Sequence, residues 1–190
     1  RNLTALSCNK NNGPVYLSGT LPSLTESSEF TVTAVVQQQQ TSDNYVQVIA
    51  AVEKKWILLL RGNNDQTSEL QCLVYDQDGK RHSFSSGSEN EPVLLNVKQA
   101  YGVTVALSKN ELLLAVTNLG SERQLQFKRF SLSDHAPAMK RLQQPPAARF
   151  VIGDLDGTAR FHGLLDDIAI WKTSLKVEAI ASHFHSTAPD

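Results

Sequence analysis

The 190-residue sequence is poor in most features that announce a function. It has one Met, two Cys and two Trp, and its 18 Lys+Arg against 19 Asp+Glu leave a formal net charge of -1. A charge so close to zero excludes a general nucleic-acid or membrane-surface binder, which needs a basic excess. No apolar run approaches the roughly 20 residues that a membrane-spanning helix needs; stretches such as Trp56 to Leu60 are strand-sized. There is no Gly-x-Ser-x-Gly, no His-Glu-x-x-His and no phosphate-binding glycine loop, and Cys8 and Cys72 lack partners at zinc-ligand spacing.

What is present suits one globular domain. The hydrophobic fraction is 41% and the charged fraction 19%, enough apolar surface for a single core and too much for a disordered chain. Residues 1–190 are therefore expected to form one domain with its core at about 15–184. Because the sequence opens on Arg1, it is expected to be a processed chain or part of a larger protein. Cys8 and Cys72 suit one disulfide in an oxidising compartment, and equally two buried thiols in a reducing one. Asn2-Leu3-Thr4 is the one glycosylation triplet.

Short β-prone segments separated by turn residues dominate the chain. Phe30 to Val36, Tyr45 to Val52, Trp56 to Arg61 and Leu70 to Tyr75 are rich in β-branched and apolar residues. Asp76-Gln77-Asp78-Gly79 then predicts a hairpin returning through Arg81 to Phe84. Val103, Val105 and Leu107 alternate with small residues, Leu112 to Val116 follow a turn, and Leu125, Phe127 and Phe130 mark a later strand. Phe150 to Ile152 and Leu165 to Trp171 complete a set of ten to twelve, the pattern of a sandwich or barrel. Helical periodicity is confined to Val177, Ile180, Ala181 and Phe184, with Ser174 as the expected cap. Residues 131–149, with three prolines, read as a loop crossing the outside.

The segment from Phe150-Val151-Ile152-Gly153-Asp154 through Phe161-His162-Gly163-Leu164-Leu165-Asp166-Asp167-Ile168-Ala169-Ile170-Trp171 to Leu175 and Glu178-Ala179-Ile180 resembles the last third of laminin-G-like and pentraxin-like domains. Those families run from a Gly-ended strand through a loop to Phe-x-Gly, an Ile/Leu-Asp-Asp/Glu strand, an aromatic and a short helix. Ser28 to Val32, Trp56 to Leu60 and Tyr101 to Val105 extend the likeness upstream. Tyr101-Gly102 stands where Trp-His is usual, Val116 to Gly120 where Tyr-Val-Asp-Gly is usual, and Lys176 where the helix opens on Ser. The resemblance implies an all-β, antiparallel jelly-roll β-sandwich of the concanavalin A-like, laminin-G-like type with one short C-terminal helix. Leu165, Ile168 and Ile170 are expected to fill its core, with Gly163 at a bend.

Two candidate sites follow. Asp43-Asn44 and Asp154 with Asp156 stand where pentraxins place calcium ligands, and hard cations need several such oxygens converging on one loop edge. The same residues also serve ordinary turns. Lys128, Arg129, Lys140 and Arg141 belong to a basic stretch of the kind that holds sulfated glycans through charge and forked hydrogen bonds, although neighbours on a strand face opposite ways. Trp56 and Trp171 are expected to pack in the core or at its rim, and His183 and His185 to sit in a solvated tail. Catalytic members of the wider concanavalin-like group carry Glu-x-Asp-x-x-Glu on one strand; that spacing is absent, and Glu89 and Glu91 fall in a loop.

The resulting expectation is a non-catalytic extracellular recognition module, secreted or part of a membrane protein, next to other domains of the same chain. Its partner is expected to be a protein in adhesion or assembly, met by the rim loops 37–45 and 154–160 or by a sheet face. The alternative is a carbohydrate, as in a lectin or a module appended to a glycosidase. Ca²⁺ is the one cofactor expected; neither nucleic acid nor membrane insertion is.

Overall fold

The computed structural model describes residues 6–8, 15–17, 29–87, 91–120, 124–132, 149–155 and 157–187. In chain order these form strands β1 (Leu6–Cys8), β2 (Val15–Leu17), β3 (Phe30–Gln38), β4 (Val46–Val52), β5 (Trp56–Gly62), β6 (Thr67–Tyr75), β7 (Arg81–Ser85), β8 (Leu94–Asn96), β9 (Ala100–Leu107), β10 (Glu111–Asn118), β11 (Leu125–Ser131), β12 (Phe150–Ile152) and β13 (Gly163–Trp171), then one helix, α1 (Val177–Thr187). The first sheet has the order β1-β13-β3-β9-β10-β11. The second runs β2-β12-β4-β5-β6-β7, with β8 also paired to β6. This is the expected jelly-roll sandwich.

Alternation fixes which way each strand faces. Phe30, Val32, Ala34 and Val36 of β3 meet Val103, Val105 and Leu107 of β9 and Leu112, Leu114 and Val116 of β10 on the inner face of the first sheet. Trp56, Leu58 and Leu60 of β5 and Leu70, Cys72 and Val74 of β6 face them from the second. Rings cross the gap in two places. Trp56 stacks on Phe30 with centroids 5.2 Å apart and meets Phe150 edge-on, and Phe84 meets Phe130 edge-on at 5.4 Å. Such contacts add about 0.5–1.5 kcal/mol each beyond the apolar area they bury.

Leu165, Ile168 and Ile170 all reach this core, although their spacings of three and two do not fit a plain strand. A bulge between Asp166 and Ala169, with Asp167 at φ 44°, supplies the extra residue that restores the register. Gly163 pairs with Gln38, and a Cβ there would lie 2.0 Å from the Gln37 carbonyl oxygen. The strand entry is therefore open to glycine alone.

Helix α1 covers the outer face of the first sheet. Ile180 and Phe184 are buried there against Ala106, Leu113 and Ala115. The amides of Ala179 and Ile180 both donate to the Lys176 carbonyl, so Lys176 opens the helix and Ser174 lies two residues ahead of that position, not at the cap. His183 is held in the helix rather than in a solvated tail. Its Nε2 is hydrogen-bonded to Thr33 Oγ1 at 3.2 Å, its ring meets Trp171 and Phe184 edge-on, and burial lowers its pKa against the opposing charge of Asp167.

Phe184 lies over Gly102 so closely that a Cβ on that glycine would be 2.5 Å from the ring. Gly102→Ala is expected to destabilise the fold by roughly 1–3 kcal/mol through overpacking. Most of that penalty should vanish in a Phe184→Leu background, as measured by denaturant titration of the four variants. Equal penalties in both backgrounds would contradict this packing.

Candidate functional site

The two loops expected at the rim do come together. The Val48 amide donates to the Ala159 carbonyl at 2.8 Å, the His162 amide to Gln47 Oε1 at 2.8 Å and the Gln39 amide to the His162 carbonyl at 2.9 Å. Tyr45 and His162 rings face each other at 6.0 Å. Of the side chains proposed as calcium ligands, Asp154 and Asn44 are otherwise engaged. Asp154 is fully buried, accepting from the Gly157 amide at 2.9 Å and pairing with Arg160 Nε at 3.2 Å. Asn44, at φ 58°, accepts from Arg61 through Oδ1, and Asp43 beside it is exposed. Asp156 lies outside the described residues, and among those described no three His, Cys, Asp or Glu side chains gather around a metal-sized space.

The sequence leaves Cys8 and Cys72 open between one disulfide and two buried thiols. Cys72 is a free thiol, wholly buried on the inner face of β6, and burial pushes its pKa far upward. Cys8 belongs to β1, which begins the order of the other sheet and pairs with β13. Asn2, Lys140 and Arg141 lie outside the described residues. The nearest approach to catalytic geometry is His82 Nε2 donating to Asp76 Oδ2 at 2.7 Å. That hydrogen bond, opposed by burial and helped by the Lys80 and Asp78 amides, lowers the Asp76 pKa. The pair fastens the β6–β7 turn, since Asp76 Oδ1 accepts from both of those amides.

A different part of the surface has the form of a site. The cross-strand partners of β11 are Leu112↔Phe130, Leu114↔Lys128 and Val116↔Gln126, so Phe130, Lys128 and Gln126 share the inner face with those core residues. Leu125, Phe127 and Arg129 face outward. Leu125 joins the cluster under α1, while Phe127 is 43% exposed and lies 5.3 Å beneath the Arg129 guanidinium. Arg129 also pairs with Glu111 at 2.7 Å. Over Leu125 to Lys128 the strand is thus inverted, with Gln126 and Lys128 toward the gap between the sheets and Leu125 and Phe127 away from it, while Phe130 still joins the core. Lys128 and Arg129 fall on opposite faces, as their adjacency on a strand predicts.

Where the inner face of β11 turns polar, the sandwich edge is open. A hollow of about 610 Å³ is lined by Glu91, Pro92 and Val93 on one side and by β11 residues including Gln126, Lys128 and Phe130 on the other. A second, of about 190 Å³, is lined by Asn96, Tyr101, Asn118, Gln124 and Gln126 among others. Gln126 borders both, so they adjoin along the strand. Tyr101 stiffens this wall by donating to Gln99 Oε1 at 2.8 Å while accepting from the Asn96 amide at 3.1 Å. Apart from Lys128, none of these residues was a candidate for binding in the sequence. The available signal was the every-second-residue run Gln124, Gln126, Lys128 set against Leu125 and Phe127.

No protein-family model matches the chain, and no curated protein is significantly similar to it in sequence. Solved structures do match in fold. The chain aligns over 96% of its length with 96% of the Ruminococcus gnavus IT-sialidase CBM40 bound to α2,6-sialyllactose, at TM-score 0.63 and 13% identity. It aligns over 94% with 79% of a heptameric SAP-like pentraxin from Limulus polyphemus, at TM-score 0.58 and 17% identity. It aligns over 93% with the enzymatically active domain of bacteriophage CBA120 tailspike protein 2, at TM-score 0.62 and 12% identity. The chain spans 30% of that tailspike domain. The fold is therefore the concanavalin A-like jelly roll that the sequence resemblance implies.

Because Asp154 is the buried partner of Arg160, Asp154→Ala is expected to lower stability by roughly 1–3 kcal/mol, the cost of unmaking a charge-assisted bond. The loss should be equal in calcium and in chelator when followed by thermal melting. A wild-type melt that rises with calcium, and fails to rise in the variant, would instead make Asp154 a metal ligand.

Proposed function

We propose that this chain is a non-catalytic carbohydrate-binding module that takes an acidic glycan in the groove between β11 and residues 91–96. The observation that carries this reading is the inverted β11, because a strand that turns Gln126 and Lys128 toward the gap leaves an open polar cleft where a sandwich ordinarily has core. Carboxamides both donate and accept, which suits sugar hydroxyls and acetamides, and a lysine ammonium supplies donors for a carboxylate or sulfate. Pro92, Val93 and Phe130 give the cleft apolar surface for the carbon face of a pyranose. The fold likeness to a domain bound to α2,6-sialyllactose supports the ligand class. The setting proposed is extracellular, beside further domains of a longer chain.

A protein partner is the second reading, favoured by the exposed Phe127 and Arg129 on the outer face of the terminal strand β11. Binding to an array of sialylated, uronate-containing, sulfated and neutral glycans separates the two. Acidic glycans should be retained, with retention falling at high salt and falling about tenfold or more in Lys128→Ala and Gln126→Ala variants whose melting is unchanged. Retention of no glycan, or retention that both variants keep, would contradict the proposal.

A further inference from the structure

The groove has a length as well as a chemistry, and the inference drawn from it rests on the glycan reading above. The 7 residues of β11, at roughly 3.3 Å each, extend for about 20 Å. Both hollows lie along this strand, the larger beside Lys128 and Phe130 and the smaller beside Gln124 and Asn118, and Gln126 lines each. The two ends differ chemically. At one, Lys128 and the neighbouring apolar residues Pro92, Val93 and Phe130 stand together; at the other the lining side chains are Asn96, Asn118, Gln124 and Gln126 with the Tyr101 ring. A pocket for one terminal sugar would be closed at its far side, yet Gln124 and Gln126 are exposed and Gln126 lines both hollows.

We infer that the module binds the interior of a linear acidic polysaccharide lengthwise along β11, with a carboxylated unit beside Lys128 and an N-acetylated or neutral unit among the amides of the second hollow. The charge pattern argues for spaced anionic units rather than dense sulfation. Glu91 and Arg129 also line the Lys128 hollow, the Arg129 guanidinium being paired with Glu111, and among the described residues no cationic side chain lines the second hollow. A chain charged at every unit would meet one attractive position and then a stretch of uncharged amides. A chain alternating uronate with N-acetylhexosamine matches both ends. Carboxamides pair with acetamides through one donor and one acceptor each, and Lys128 pairs with the uronate.

Calorimetric titration of the chain with hyaluronan oligosaccharides of increasing length tests this. Affinity should rise by about tenfold or more from disaccharide to hexasaccharide and then level off as the groove fills. Gln124→Glu places a carboxylate in the second hollow at an exposed position that stability does not depend on. It should weaken hexasaccharide binding while leaving disaccharide binding unchanged, and Lys128→Ala should weaken both. Equal affinity at every length, or a hexasaccharide indifferent to Gln124→Glu, would overturn the lengthwise mode and leave a single-sugar site. Failure of every oligosaccharide, together with failure of every acidic glycan on the array, would overturn the glycan reading itself.

Discussion

The two sheets depend on aromatic rings that reach across the space between them. Trp56 of the second sheet lies on Phe30 of the first, and Phe84 of the second meets Phe130 of the first. With Trp56, Phe30 and Phe84 almost wholly buried, these contacts set the sheet separation, and the aliphatic side chains of β3, β5, β6, β9 and β10 fill the space so defined. Phe130 is the last inward residue of β11 to take part. Beyond it, Lys128 and Gln126 occupy positions that face the same gap, and there the sandwich opens. The groove is thus a direct consequence of where the apolar inner face stops.

Much of the fold was legible because burial imposes period two on each strand. The ten strands read from the sequence all appear, most of them longer by one to three residues, and the helix forms on Val177, Ile180 and Phe184 as its spacing predicts. The short strands β1, β2 and β8 were not read, since three residues are too few to show a period. Leu165, Ile168 and Ile170 were correctly read as core, but only the bulge at Asp166–Ala169 explains how all three reach it. The cap at Ser174 fails because the Lys176 carbonyl takes the first helical amides. Where the helix opens depends on how it docks on the sheet, and composition does not encode that.

The site was harder to read than the fold. Asp43, Asn44 and Asp154 are turn-forming types at a rim that does converge, yet the Asp154 carboxylate is committed to Arg160 and the Gly157 amide. Lys128 and Arg129 are adjacent in sequence and separated by the pleat, so these two do not share a face. The groove residues come from β8, β9, β10, β11 and the 91–93 segment, and only tertiary structure brings them together. A domain bound to a sialylated sugar, a heptameric pentraxin and part of a phage tailspike share this architecture at 12–17% identity. Such a fold specifies a scaffold, and the ligand is decided by side chains such as those that line the open edge.

The most direct test follows the side-chain amide resonances of Asn44, Asn96, Gln124 and Gln126 by ¹H–¹⁵N NMR as hyaluronan hexasaccharide is added. A ligand held on the inverted face of β11 should shift Asn96, Gln124 and Gln126 along one saturation curve and leave Asn44, at the loop rim, in place. Saturable shifts at Asn44 with none on β11 would move the binding surface to the rim and contradict the account.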